Sequence, residues 1–452
     1  MRVNCNISAL TANNQLSKAQ TALDKSIERL SSGLKINHAE DDAAGMAISK
    51  KMHTQVKALE RATSNASDGI YVAQTAEGAL GEMENVLQRM RELAVQGASE
   101  SYSDEDRAAI QQEINELSAE VDRISTDTEY NTMPLLDGTV SRRGYADVDD
   151  VNLLDSTSNV ASGDYTFSVT SEAKQANMSI ATFAGTVSED QAGTMKINGA
   201  AVSVEAGDTY DDIKEKLIEA CNTAGLNLED DGSISTTNYG SDESITVTFD
   251  NDELAALFGM GTENTAYGED CEVELGDGFP ESAVAVTDGT IVTVKSTGNF
   301  EMRFEVPGDT TFSDCTMKVT DMGVLNIQVG ANEGQTIDID IPTVNMHTLG
   351  LDNLNVGTGV NSTKAIAKID DAITYVSSIR SKLGAYQNRL ETAVSSLSLY
   401  DENMTSALSG LEDCDMAAEM TTYTSQNVIS QAATSVLSQA NERPESVLQL
   451  LQ

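Results

Sequence analysis

Tryptophan is absent from these 452 residues, and Phe and Tyr bring the aromatic share to only 4%. Any apolar core must therefore be built from Ala, Val, Leu, Ile and Met. Proline is nearly absent from both ends: residues 1–133 have none, and residues 343–452 have only Pro444. Glycine follows the same pattern, with 6 of the 32 in residues 1–130 and 2 in residues 362–452. The ends thus lack the two residues that break helices. Basic side chains are few, 28 against 72 acids, for a net charge of −44. Phosphates would be repelled, which excludes nucleic acid and an anionic membrane as partners. No run approaches the ~18 apolar residues of a membrane span. The first thirty residues are polar and lack the apolar stretch of a signal peptide, so the chain reads as cytoplasmic or as exported without a cleavable signal.

Chemistry is equally sparse. The cysteines Cys5, Cys221, Cys271, Cys315 and Cys414 show no CxxC and no metal-ligand spacing, and read as small buried hydrophobes. His38, His53 and His347 sit in no HExxH, with His53 on a helix surface and the other two in loops. GxSxG, the P-loop and GxGxxG are missing. The acidic clusters Asp147, Asp149, Asp150 and Glu229, Asp230, Asp231 fit no calcium loop and read as solvated surface. No catalytic, cofactor-binding or metal-ligating residue can be named, so the chain is read as a non-enzyme with no cofactor.

What is present is long apolar periodicity at both ends. Leu16, Ala19, Leu23, Ile27, Leu30 and Leu34 mark a first helix, interrupted at Gly33 and 37–42. A second stripe runs from Met52 through Leu59 and Ala73, then shifts phase through Leu80, Met83, Leu87 and Met90 to end near Gly97. Some fifty unbroken helical residues would span ~75 Å, which fits a coiled coil or bundle. Ser103 then reads as an N-cap before Asp104, Glu105 and Asp106. The next helix carries Ile110, Ile114, Leu117, Val121 and Ile124 at coiled-coil spacing and should fold back on its predecessor. Helical period returns from Thr363 through Ile369, Val376, Leu383 and Leu390 to Leu397. Gly410 and 413–415 separate it from a last stripe through Met416, Met420, Tyr423, Ala432, Val436 and Ala440. Val447, Leu448, Leu450 and Leu451 close the chain.

The middle reads as β. Tyr165, Phe167 and Val169 alternate with polar residues, as do Ile245, Val247 and Phe249. Asn198-Gly199 between Met195, Ile197 and Val202, Val204 is a hairpin signal. Thr209 to Ala224 reads as one short helix capped by Gly225. Residues 141–360 hold 39 acids and 9 bases, so the negative charge is concentrated here.

The fold class is therefore α+β and multidomain, with a long helical coiled-coil or bundle core built from both termini and an inserted, mainly-β outer domain. Segment 1–43 pairs with 411–452, and 44–140 pairs with 361–410. Residues 141–322 form the acidic outer domain, with an insertion module near 193–250, and 323–360 form a β-hairpin region.

Ordered blocks at both ends resemble the bacterial flagellins. They are LSSGLKIN (30–37), DDAAGMAIS (41–49), NASDGI (65–70), TAEGAL (75–80) and QRMRELAVQ (88–96). The far end adds IRSKLGAYQNRL (379–390), SVLSQAN (435–441) and the 447–451 tail. TMKING (194–199) is similar to a small βαβ-like insertion module of flagellins and hook-associated proteins, and GANEGQTIDID (330–340) to the flagellin β-hairpin, here displaced beyond the insertion. The resemblance implies a filament subunit for swimming motility, whose terminal helices fold on assembly, packing through Leu16, Leu23, Ile27, Leu30, Val436, Leu448, Leu450 and Leu451. It implies a homopolymer, hook-associated and cap proteins, and an export apparatus with a chaperone at the C-terminal segment as partners. It implies an extracellular location. It also places Gln88, Arg89, Leu93, Gln96 and Glu113 where flagellins pack against one another and where stimulatory ones are read by Toll-like receptor 5. A hook-filament junction protein and a secreted adhesin, whose acidic middle binds a host ligand, remain alternatives.

Deleting 1–35 or 415–452 should abolish polymer, read by sedimentation and electron microscopy, while circular dichroism still reports a folded β region. A truncated chain that assembles would sink the role given to the ends.

Overall fold

The computed structural model describes residues 6–157, 159–298 and 300–450. Seven α-helices frame it: α1 (Ile7–Ser32), α2 (Ala43–Gly97), α3 (Asp104–Asp127), α4 (Tyr210–Ala224), α5 (Asp252–Leu257), α6 (Gly359–Glu412) and α7 (Met416–Leu450). The chain divides into two compact units. One gathers the residues up to Ser67, Gln328–Thr336 and those from Glu391 onward; the other gathers Asp68–Ile327 and Ile337–Leu390.

In the first unit α1 and α7 run antiparallel. Asn6 donates to the Ala440 carbonyl at one end (2.8 Å), and Ser26 donates to Glu419 nearer the other. The buried residues of α1 are Ala12, Ala19 and Ser26, a heptad of small side chains. Gly33 ends α1 in the left-handed conformation (φ 73°), its N–H returning to Arg29. The turn after it is tied to the break between α6 and α7. Lys35 N–H donates to Glu412 O (2.7 Å), and Cys414 N–H donates to Gly33 O (2.9 Å). Of the two positions expected to separate α6 from α7, the break falls at Asp413–Asp415, and Gly410 lies within α6.

In the second unit Leu80, Met83, Leu87 and Met90 of α2 are fully buried, as are Ile114 of α3 and Ile369 and Val376 of α6. Ser103 caps α3 with a reciprocal box: its hydroxyl accepts from Asp106 N–H, and the Asp106 carboxylate accepts from Ser103 N–H.

Between α3 and α6 the chain builds an antiparallel β-sandwich. One sheet orders its strands Glu272–Leu275, Gly163–Ser171, Phe312–Thr320, Arg143–Ala146; the other orders them Val284–Asp288, Ile291–Ser296, Phe300–Glu305, Asn152–Ser156. Phe167, Phe304, Val292, Val294, Met302 and Met317 fill the space between. Phe167 and Phe304 meet with ring centroids 4.5 Å apart. The insertion module follows its own core. Its sheet orders Glu263–Tyr267, Ser244–Phe249, Gly193–Ile197 and Ala200–Val204, all antiparallel, with Ile213, Leu217 and Cys221 of α4 packed into the same cluster. It is thus a hairpin followed by a helix rather than a parallel βαβ unit. Asn198 (φ 47°) and Gly199 (φ 94°) make the hairpin turn, since a type I′ turn needs positive φ at both positions.

Asp340 is buried after the Thr336–Ile339 strand and accepts from Arg142 N–H (3.2 Å). Burial, with the Asp155 charge beside it, raises its carboxyl to about 6, against the pull of Arg142 and Lys382. An acid whose folded value is raised binds its proton more tightly when folded. Its ionisation therefore costs stability above about pH 6, and that cost fades as pH falls toward the unfolded value. Asp340→Asn keeps an acceptor for Arg142 and should stabilise the protein at pH 7.5 by on the order of 2 kcal/mol, and by much less at pH 4.5, read from urea midpoints.

Candidate subunit interface

The described residues leave a row of large apolar side chains uncovered on α1 and α7. Ile7 and Leu10 are 68% and 61% exposed; Ile27 of α1 and Met420, Val428 and Val436 of α7 are 47%, 50%, 60% and 53% exposed. Leu16, Leu23 and Leu30 are half-buried. One helix covers only a narrow stripe of its partner, and α7 takes the Ala12–Ala19–Ser26 seam. Most of the apolar arc read from the sequence therefore lies on the flanks. On α7 the residues turned inward are Tyr423, Leu437 and Ala440, while Met416, Met420 and Val436 point outward. The side chains of Leu448 and Leu450, and all of Leu451, lie outside the described residues.

At the joint, Glu412 is almost fully buried and is held by His53 Nε2 (2.8 Å) and Ser49 Oγ (3.4 Å). The sequence places His53 on a helix surface but carries no signal of this pairing across more than three hundred residues.

In the other unit, Gln88, Arg89, Gln96 and Glu113 are exposed. Arg89 donates through Nε and Nη2 to Glu113 Oε1 (3.1 and 2.8 Å), joining α2 to α3. Hydrogen bonds donated to Glu113 and Glu92 raise the guanidinium above its usual value, so the patch keeps its charges paired. Leu93 is only 2% exposed; it belongs to the core under the patch and offers no surface. The same helices are clamped by Arg380 of α6, which binds Glu77 and Glu84 of α2, and by Arg91 of α2, which binds Asp370 of α6.

Among the described residues, no group of three or more His, Cys, Asp or Glu is placed to hold a metal. No described helix is long and apolar enough to cross a membrane. The geometry is that of interlocking helical faces.

Residues 3–141 match the family model of the bacterial flagellin N-terminal helical region, and residues 366–451 that of the C-terminal helical region. A flagellin of Clostridium tyrobutyricum is 35% identical over 448 residues, covering 98% of this chain and 100% of that one. The chain belongs to the bacterial flagellin family. Flagellin D of Vibrio cholerae is 33% identical over 457 residues, covering 100% of this chain and 99% of its own. A solved hook-associated protein-3 of Legionella pneumophila aligns at 14% identity and TM-score 0.33, over 80% of this chain and 98% of its own, too distant to add to the assignment. The expectation from the end blocks is met: this is a flagellin, a structural and non-enzymatic subunit of the extracellular flagellar filament, with helical ends around a β-rich middle.

Three of the cysteines, Cys221, Cys271 and Cys315, are buried free thiols. Burial pushes the thiols of Cys221 and Cys271 up to about 11 and that of Cys315 up to about 12. Thiolate, not thiol, is the nucleophile. A thiol-disulfide reagent at pH 8 should leave these three unmodified in native protein and modify them in urea; rapid native modification of Cys221 would contradict the burial described here.

Proposed function

We propose that the uncovered apolar arc of α1 and α7 is the surface on which successive copies of this flagellin stack. One observation carries this: Ile27 and Val436 are about half exposed on helices that already have one partner. A second and third helix from neighbouring copies would cover them. Each such side chain, taken from half exposure to burial, contributes ~1 kcal/mol, and every subunit repeats the gain. Before assembly the arc has nothing to cover it, which favours ends that order only on incorporation. Segments 1–43 and 411–452 would form the innermost layer, 44–140 and 361–410 the next, and 141–322 the acidic outside. The surface around Gln88, Arg89, Gln96 and Glu113, braced from below by Leu93, would pack between copies and present to Toll-like receptor 5 when monomeric. Hook-associated and cap proteins would meet the same helical faces at the filament ends, and an export apparatus and chaperone would take the uncovered C-terminal helix.

Purified chain added to filament fragments should elongate them to micrometre length. Ile27→Asp and Val436→Asp, each placing a charge on the arc, should slow elongation at least tenfold while leaving the urea midpoint of the sandwich unchanged. Normal elongation of both variants would refute the assignment of this face.

A further inference from the structure

The outer face of the Val284–Asp288, Ile291–Ser296, Phe300–Glu305 and Asn152–Ser156 sheet touches α6 through Arg303, over the Tyr375 ring, and through Asp155, bonded to Tyr375 and Lys382. Beside these contacts lies an open cleft of about 1140 Å³, with Val286, Thr293 and Glu305 on the sheet side and Lys364, Asp371 and Tyr375 on α6. The wall of this cleft includes the loop after the Thr336–Ile339 strand. That loop is fixed to α3, because Met346 N–H donates to Asp122 Oδ1 (2.9 Å). From it His347 reaches across the cleft, with Nε2 3.0 Å from Glu305 Oε2 on the sandwich and Nδ1 against Asp352 in its own loop.

An imidazole held between two carboxylates must carry two N–H groups to satisfy both. Only the protonated ring has them; a neutral ring donates once and turns a lone pair toward the other carboxylate. We infer that His347 is a proton-operated clasp between the α3-anchored loop and the β-sandwich, closed while the ring is charged and loosened when it loses its proton.

The other charged groups of the cleft support this. Its basic side chains are engaged elsewhere: Arg303 lies over the Tyr375 ring (4.9 Å), Lys295 pairs with Glu301 (3.3 Å), Lys364 donates to Ser244 and Lys368 to Glu243. Asp155 is tied to Lys382 and Tyr375. Asp242, Asp288 and Asp371 line the same space and add negative potential, which favours the charged ring. The Glu305 hydrogen bond first, then that of Asp352, raises the imidazole above its ordinary value, and burial opposes them. The sign follows: a basic group raised on folding contributes fully below its unfolded value, near 6.5, and the contribution is lost as pH rises through the folded value. The clasp therefore loosens as pH rises through a folded value above 6.5. Loosening the clasp frees the Glu305 end of its strand, while Arg303 over Tyr375 and Asp155 with Lys382 still hold the sheet to α6.

Two measurements on the full chain test this. The protein has three histidines, so labelled histidine gives three ring signals, and His347→Gln assigns one of them. That signal should titrate above 6.5 and move down in both Glu305→Gln and Asp352→Asn; an unshifted titration in both would overturn the clasp. Hydrogen exchange of peptides covering Phe300–Glu305 and 343–353, corrected for the intrinsic rate, should rise several-fold between pH 6 and pH 9 in the natural chain. His347→Lys, which stays charged across this range, should hold exchange low throughout, and His347→Gln should leave it high throughout. Exchange that is flat with pH and equal in all three proteins would refute the proposal. Should His347→Gln fail to fold, Glu305→Gln replaces it with the same expectation.

Discussion

Everything in this chain depends on how little surface two helices can hide from each other. The α1–α7 seam is built from Ala12, Ala19 and Ser26, side chains small enough to bring the backbones close, with Asn6 and Ser26 fixing the register against Ala440 and Glu419. A close seam is a narrow one. The larger aliphatics are left beside it, half-covered or uncovered. The same small residues that make the pair possible make it incomplete.

The joint behind that pair is polar where the seam is apolar. The turn after Gly33 and the break at Asp413–Asp415 come from opposite ends of the chain and bind through backbone groups, supported by Glu412 between His53 and Ser49. Backbone pairing satisfies donors and acceptors that two interrupted helices would otherwise leave open. It also fixes the two breaks at one level, so α7 begins where α1 ends.

Local chemistry was the most legible part of the sequence. The Ser103 cap, the short helix ended by Gly225, and the Asn198-Gly199 turn each need only a few neighbouring residues, and each forms as read, with Thr209 serving as the helix N-cap rather than its first residue. The helical ends were legible because their period persists for dozens of residues. The sandwich was not. Its strands at 284–288, 291–296 and 300–305 are short, and their pairing to 152–156 joins residues some 150 positions apart. No local signal encodes such a pairing. Helix phase was also only partly readable: Tyr423 and Val436 sit in one apolar stripe, yet the first faces α1 and the second faces away. Spacing identifies an apolar arc, but the partner decides which part of it is covered. Leu93 shows the converse. It shares a sequence block with Gln88, Arg89 and Gln96, and helical spacing puts it on the side of Arg89 and Gln96, yet it is covered while they are exposed.

The strand that enters the β region, Arg143–Ala146, and the strand that leaves it, Phe312–Thr320, are adjacent in one sheet, with Arg143 opposite Thr320 and Ala146 opposite Met317. Some 170 residues of sandwich and module thus depart from and return to points one strand spacing, ~5 Å, apart. Topologically the whole outer region is a loop hung on a single pair of strands. Its chain path leaves the doorposts free of its length: a lineage that exchanged this excursion for a short turn or a larger domain would give up the bonds of Lys364, Lys368 and Lys382 to it, and the two strands would not have to move.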